Sequence, residues 1–382
     1  MHASTPAKSA PAPRNIFAIL LLAVALPSAA QAQSDTTVKV AFGAFVDGYY
    51  AWDFGRPPGF DRSFAGGALF TTQPARHNEF NVNLAFVEAK LDGPRIRGRL
   101  ALQAGTSVQS NYSGEPTNGA ISGASLGRVI QEAVVGTKLA NNLWVDGGVF
   151  FSHMGMESWI SRDNLTYTRS LVAEYSPYYQ SGVKMTWTPT RALTAQVDVV
   201  NGWQNISENN SGKGAGARVD YTPGSATTVS YYNFFSDEAG SQLRTFNGVG
   251  VKRVQGRLTM VGQFDIGSQN HGAGQGGTST WYGYTAMARL QATPQLAVVG
   301  RFEGYHDPDQ VIIATGSANS SPNPPFKGVG ASLGIDVTPQ PRLLWRTELR
   351  GFANDGAIFP NTSTGMPRKS NALMVTSMAL TF

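Results

Sequence analysis

The sequence contains no cysteine, so no disulfide bond can stabilise its fold. Charged residues make up only 14% of the chain, and the net charge of +5 is too weakly basic to indicate a nucleic-acid partner. After Ala32, no apolar run approaches the roughly 20 residues that a membrane-spanning helix needs. These absences exclude stabilisation by disulfides, give no support for a nucleic-acid partner and argue against a helical membrane protein.

The N-terminal segment has the pattern of a secretory signal peptide. Two basic residues precede an apolar run at residues 16–26, and small residues follow at Ala30–Ala32. The run is too short to cross a bilayer as a helix, which disfavours the alternative of a membrane anchor. We therefore predict a signal peptide over residues 1–32, with cleavage after Ala32, and one folded domain over residues 33–382.

The rest of the chain alternates stretches of about ten residues with separators that are short and long in turn. The short separators are tight-turn sequences such as Leu91–Pro94 and Thr338–Pro341. The long ones are Phe54–Asn78, Ser107–Gly127, His153–Pro177, Gly267–Gly277, Asp307–Pro325 and Ala353–Ser370. Long loops on one side and short turns on the other are typical of a bacterial outer-membrane barrel.

The number of these stretches predicts an all-β fold, namely a transmembrane antiparallel up-and-down β-barrel of about sixteen strands. The strands are predicted to begin near Val38, Glu79, Arg95, Arg128, Leu143, Tyr178, Leu193, Gly214, Thr227, Thr245, Arg257, Ser279, Gln295, Phe326, Arg342 and Asn371. An even number places both termini on the periplasmic side.

Period-two alternation predicts which face of a strand meets lipid. In residues 326–337, Val329, Leu333 and Ile335 share one face, and glycine, serine and aspartate share the other. The apolar face would meet outer-membrane lipids and the polar face a wet lumen. Aromatic residues near strand ends suit an interfacial girdle: Tyr50, Trp52, Trp187, Trp203, Tyr221, Tyr282, Tyr284 and Trp345.

The last strand, residues 371–382, ends on Phe382, with Met374, Met378 and Leu380 on the same face. This pattern resembles the terminal signal that bacterial barrel-assembly machinery recognises. We therefore predict Phe382 as a barrel-assembly signal and the outer membrane as the destination.

Several segments resemble the OmpL-like β-barrel porins over roughly Phe45–Tyr221. They are Phe45–Trp52, Arg76–Phe80, Gln131–Ala133, Gly155–Glu157, Asn164–Ser170, Pro177–Gly182 and Val200–Trp203. The resemblance implies a porin fold and a transport role, without a defined substrate.

Alternating charges predict the lining of the pore. The candidates are Arg95, Arg97 and Arg99 on the third strand, Arg301 and Glu303 on the thirteenth, and Arg346, Glu348 and Arg350 on the fifteenth. If the arginines form one basic wall, the pore prefers anions weakly. The alternative is that nearby acids neutralise each arginine.

The third long loop, residues 153–177, follows the fifth strand, where sixteen-stranded porins commonly carry a loop that folds into the lumen. It holds charges of both signs: Glu157, Arg162, Asp163 and Arg169. We predict that it constricts the pore, with an ordinary surface loop as the alternative.

An enzyme is not predicted. The histidines after residue 32 lie in or beside predicted long loops, without a nucleophile, base and orienting group in a recognisable pattern: His77, His153, His271 and His306. No metal-ligand spacing and no cofactor motif is present. The sequence predicts a porin for passive diffusion of small polar solutes or ions, with a possible homo-oligomeric state. The alternative is a barrel-scaffolded surface adhesin or receptor that uses its long loops.

Overall fold

The computed structural model describes residues 37–238, 242–271, 276–316 and 324–382, so the predicted signal peptide lies outside the described residues. Sixteen strands follow in chain order: β1 (Lys39–Asp53), β2 (Phe80–Asp92), β3 (Ile96–Ala104), β4 (Ile130–Ala140), β5 (Leu143–Phe151), β6 (Tyr179–Thr190), β7 (Leu193–Val200), β8 (Gly214–Tyr221), β9 (Thr227–Glu238), β10 (Gln242–Gln255), β11 (Leu258–Asn270), β12 (Thr278–Gln291), β13 (Leu296–Asp307), β14 (Phe326–Gln340), β15 (Leu343–Asn354) and β16 (Ser370–Thr381).

The helices of the described residues are short and lie in the long loops. They are α1 (Thr106–Asn111), α2 (Ala124–Gly127) and α3 (Leu171–Glu174), with 3₁₀ turns at Tyr112–Gly114 and Ser161–Asp163. None of them is long and apolar enough to cross a membrane.

The strands form one closed antiparallel barrel in which every strand pairs with its sequence neighbours. The seam joins β1 to β16, in register from Phe45 opposite Thr381 to Asp53 opposite Leu373. Closure leaves no unpaired edge, which is the condition for β-strands in lipid. The prediction of a sixteen-stranded barrel is confirmed.

The predicted strand starts agree with the structure to within a few residues. The largest difference is at β10, predicted from Thr245 and beginning at Gln242. Arg95, predicted as the first residue of the third strand, lies instead in the preceding turn, where its carbonyl accepts a hydrogen bond from Lys138 N at 2.9 Å. Predicted loop starts at Gly267, Asp307 and Ala353 fall inside strands, because loop composition begins before the backbone pairing ends.

The two faces of the strands differ as their alternation predicts. On β14, Leu333 is 63% exposed on the outer surface, whereas the inward-facing Asp336 is 2% exposed. Trp187 and Trp345 lie exposed at the short-turn end, as an interfacial girdle requires. Trp203 is an exception, because it lies in the loop after β7 and packs its ring 5.2 Å from Phe234.

The first long loop, between β1 and β2, folds inward at the extracellular end. Its Phe70 packs 4.8 Å from the ring of Phe352, and Arg62 pairs with Asp53 at 3.0 Å. The buried aromatic cluster at this end includes Phe64, Phe70, Phe326, Phe352 and Phe359. Burial of these rings stabilises the loop over part of the barrel mouth.

Candidate functional site: the lumen and its inward loop

The connection between β5 and β6, residues 152–178, lies inside the barrel and is called the inward loop below. It ends in the short helix α3, which begins because the Ser170 hydroxyl accepts a hydrogen bond from Ala173 N at 3.3 Å. The hydroxyl groups and main chain of the loop contact the inward faces of β1, β13 and β15. The loop therefore occupies the lumen and does not extend from the barrel.

The centre of the inward loop is held by an ion pair that reaches across β14, from β13 to β15. Arg301 on β13 and Glu348 on β15 lie 3.0 Å apart. Thr168 donates its N–H and its hydroxyl to the two oxygens of Glu348, each at 2.8 Å. Arg301 donates to the Thr166 hydroxyl at 2.8 Å and to the Thr168 carbonyl at 2.5 Å. Because every charged group here has several partners, this buried pair fixes the position of the loop.

A second pair lies nearer the extracellular end. Glu303 accepts from Arg350 Nε at 3.0 Å and from the Leu171 N–H at 2.7 Å. The Ser170 N–H donates to both oxygens of Glu157 at 3.2 Å. Burial raises the pKa of the Glu157 carboxyl above its usual value, and the charge of Arg301 opposes this shift. Glu157 thus forms its hydrogen bonds within the loop.

The periplasmic part of the loop is held by two arginines. Arg346 donates to the carbonyls of Ser161 and Asn164, both at 2.7 Å. Arg162 donates to the carbonyl of Arg342 at 2.8 Å and to the Thr381 hydroxyl at 2.7 Å. Since Arg342 and Thr381 lie at the short-turn end of the barrel, the loop extends almost the full length of the lumen.

Glycines on the strands make room for the loop. A Cβ at Gly216 would lie 2.4 Å from the His153 ring, and one at Gly250 would lie 2.4 Å from Met156. The two ring nitrogens of His153 form hydrogen bonds with the Gln180 side chain at 3.1 Å and with the Asn233 carbonyl at 2.8 Å. His153 Nδ1 also lies 3.1 Å from a carboxylate oxygen of Asp198. These close approaches show why the inward-facing positions of β8 and β10 carry no side chain at those levels.

The five predicted pore-lining residues of β13 and β15 do point inward, but the loop covers them. Arg301 is 4% exposed, Glu303 is 0% and Arg350 is 1%, and Arg346 and Glu348 are equally buried. Their side chains therefore hold the inward loop in place and do not face the solution. The alternation predicted the side of the strand but carried no information about what packs against it.

The arginines of β3 also differ from a free basic wall. Arg97 donates to Asp146 at 2.6 Å, and Arg99 pairs with Glu88 at 2.6 Å and with Glu132. The alternative of neutralisation by nearby acids therefore describes these two residues. Arg95 is exposed in the turn, outside the strand face.

Among the loop charges, Arg169 is buried and stacks on the Tyr178 ring at 3.6 Å, beside Glu174 at 3.3 Å. Asp163 is exposed near the short-turn end. Of the four predicted constriction charges, Asp163 is exposed, Glu157 and Arg162 are half-buried, and Arg169 is buried.

The more accessible charges of the lumen lie in its periplasmic half and include lysines that sequence reasoning missed. Lys138, Lys184 and Lys252 point inward on β4, β6 and β10. In the described part of the chain, lysine ion pairs are formed only by Lys90 with Glu88 and by Lys213 with Glu208. The acids beside Lys184 in the sheet are already engaged, Asp146 by Arg97 and Asp198 by His153.

No group of three or more histidine, aspartate or glutamate side chains in the described ranges is arranged to hold a metal ion. A closed sixteen-stranded barrel with an apolar outer face, a charged interior and a loop folded into its lumen is the architecture of an outer-membrane porin.

The comparisons identify the family. The chain belongs to the family described as "Putative beta-barrel porin-2, OmpL-like", whose model matches residues 39–382. The protein is therefore an outer-membrane porin, a channel for passive diffusion of small polar solutes or ions. No curated protein sequence is significantly similar to the chain.

Solved porin structures share the fold at low sequence identity. The anion-selective porin from Comamonas acidovorans is 11% identical, with a TM-score of 0.57 over 91% of this chain and 100% of that one. The outer membrane channel DcaP of Acinetobacter baumannii is 13% identical, with a TM-score of 0.57 over 91% and 99%. OprB of Pseudomonas putida is 10% identical, with a TM-score of 0.55 over 90% and 94%. At these identities the likeness supports the barrel fold alone.

Proposed function

We propose that the inward loop forms the constriction of the channel and restricts passage to small solutes. This proposal rests on the buried contacts that join Thr166 and Thr168 to Arg301 and Glu348. A loop held at several points along the lumen narrows the path at fixed places and excludes large solutes by size. Solutes then pass between the loop and the less covered wall in the periplasmic half.

We propose a weak anion preference that depends on lysines and not on the predicted arginine wall. The arginines at Arg97, Arg99, Arg301, Arg346 and Arg350 are paired with carboxylates. Lys138 and Lys252 form no ion pair in the described part of the chain, so their positive charges can attract passing anions, whereas Asp146 and Asp198 beside Lys184 partly offset its charge. The anion preference is weak because exposed acids such as Asp92 and Asp163 lie in the same half of the barrel.

The triple change of Lys138, Lys184 and Lys252 to glutamine is expected to lower the anion-to-cation permeability ratio. Reversal potentials in a salt gradient across planar bilayers measure this ratio directly. Lys327→Gln is the matched control, because its side chain lies on the outer surface, and it should leave the ratio unchanged. A triple variant with the selectivity of the wild type would show that the lysines do not set the preference.

We also propose that residues 1–32 are removed on export. The mature chain of the outer-membrane fraction should then begin at Gln33, as N-terminal mass analysis would show. Ala32→Arg should block cleavage, whereas Gln31→Leu, at the tolerant middle position of the motif, should not. A membrane-inserted protein that retains residues 16–26 would contradict the proposal.

The assembly state is a further part of the proposal. A structure of OmpT from Vibrio cholerae, 8% identical with a TM-score of 0.57, is described as a trimer form. That description supports a homo-oligomer of this chain, which chemical cross-linking in native membranes tests. No catalytic step, cofactor or metal is part of the proposed function.

A further inference from the structure

A depression of about 300 Å³ lies on the outer wall of the barrel near its extracellular end, and it is called the outer pocket below. Its lining includes Tyr282, Tyr284, Gly304, His306, Lys327 and Asp355. Strand positions that alternate with these residues, such as Trp281 and Phe352, are buried on the inner side. The outer pocket is therefore separate from the channel and faces the membrane.

Three of its side chains form one row across neighbouring strands. Tyr282 on β12 is paired with His306 on β13, and His306 is paired with Lys327 on β14. The rings of Tyr282 and His306 stack at 5.0 Å with an interplanar angle of 23°. Stacking and cross-strand pairing together hold the two rings beside the lysine.

The floor of the outer pocket exists because of a glycine. A Cβ at Gly304 would lie 2.5 Å from the Tyr284 ring, so the ring covers this position and no side chain fills the space above it. Ala353, another lining residue, is also small. Any larger residue at Gly304 would displace Tyr284 and close the depression.

The row marks the boundary between the apolar band and the extracellular side. Toward the membrane centre, the same outer faces carry Val329, Phe302 and Leu333, all exposed. Toward the outside the strands end, β13 at Asp307 and β14 at Phe326. Tyrosines at such a level are typical of the lipid headgroup region.

Lys327 and His306 present polar side-chain groups to the outer pocket. Within the ranges that the structure describes, neither the Lys327 ammonium nor the His306 ring forms a side-chain hydrogen bond or an ion pair. The only carboxylate in the lining is Asp355, exposed at the rim, whose N–H donates to the Lys327 carbonyl at 3.2 Å. A lysine on a lipid-facing surface is favourable where it meets an anionic headgroup.

We propose that the outer pocket binds the phosphorylated sugar headgroup of an outer-leaflet glycolipid. Lys327 would pair with the phosphate, His306 would donate a hydrogen bond to it, and the Tyr282 and Tyr284 rings would pack against the sugar. The acyl chains would then lie along the apolar band below, over Val329 and its neighbours.

Native mass spectrometry of the detergent-solubilised protein tests this site. The probe is bisphosphorylated lipid A, compared with its monophosphorylated form, in the presence of a chelator of divalent cations. Lys327→Gln should lower the affinity for bisphosphorylated lipid A about fivefold, the contribution of one basic residue at a membrane surface. Lys213→Gln, on an extracellular loop, is the control and should bind like the wild type. Equal binding by Lys327→Gln and the wild type would overturn the proposal.

Two further binding experiments identify the ligand. Millimolar inorganic phosphate should not displace the lipid, since the sugar and acyl contacts contribute to binding; displacement would mean that the pocket takes a free anion. Asp355→Asn should strengthen binding by removing a like charge beside the phosphate, and weaker binding would contradict an anion site. Because the outer pocket is separate from the lumen, Lys327→Gln should keep the wild-type conductance, so failure here and failure of the channel proposal are distinguishable.

Discussion

Replacement of residues 157–168 by a short glycine–serine linker is expected to raise the single-channel conductance severalfold. The deleted segment occupies the lumen and contains Thr166 and Thr168, which bind the Arg301–Glu348 pair. Its removal exposes these buried charges to water, so the freed volume should fill with solvent and carry ions. Planar-bilayer recording of the purified variant provides the measurement.

Two comparisons make this test specific. Shortening the exposed loop segment 362–366 should leave the conductance unchanged, because that segment lies outside the lumen. Glu348→Ala keeps the whole loop but removes its central anchor; breaking a buried ion pair costs about 3–5 kcal/mol, so the loop should fluctuate and the current become noisier. Glu88→Ala is the matched change of a carboxylate that does not contact the loop. An unchanged conductance after the deletion would remove the inward loop from the mechanism.

Deletion of Phe382, or its change to aspartate, is expected to abolish most assembly in cells while reducing refolding in vitro only slightly. In the structure the Phe382 N–H donates to the Ala44 carbonyl at 2.9 Å, and its ring is exposed on the outer surface. The structural loss is therefore one hydrogen bond at the seam. A charge near the membrane interface costs only about 0–1 kcal/mol, so a large defect in cells must come from recognition by the assembly machinery.

The control for this effect is Phe42→Asp. Phe42 is on the adjacent strand β1, at the same end of the barrel, and its side chain is exposed on the same outer surface. Heat-modifiable mobility of outer-membrane fractions measures folded barrel. If both aspartate variants lose folded barrel equally, the defect comes from placing a charge on the outer surface, and Phe382 is not a barrel-assembly signal.

The barrel could be predicted from the sequence because its determinants are local. Side chains alternate in and out within each strand, and turn residues lie between strands, so a window of about ten residues is enough to detect a strand. The faces of β14, for example, follow directly from the spacing of Val329, Leu333 and Ile335. Boundaries such as Arg95 differ because turn and strand residues overlap in chemistry.

The interior could not be predicted in the same way, because its contacts are remote in sequence. Thr168 and Glu348 are 180 residues apart, and nothing near either residue indicates the other. The segment Asn164–Ser170, noticed only through family resemblance, contains the groups that anchor the loop. The alternation correctly placed the charged side chains of β13 and β15 on the inner face of the barrel. Whether they line the pore or anchor a loop depends on a segment far away in the sequence.

The attachment of Arg162 beside Thr381 also constrains the order of events during folding. These residues are 219 positions apart, and Thr381 belongs to the final strand, which pairs with β1 to close the ring. The loop cannot reach its final position until the last hairpin is in place, and contacts between such distant residues form late. The contact of Arg162 with Thr381 therefore cannot precede the placement of β16, so the final narrowing of the passage at this end requires the last strand.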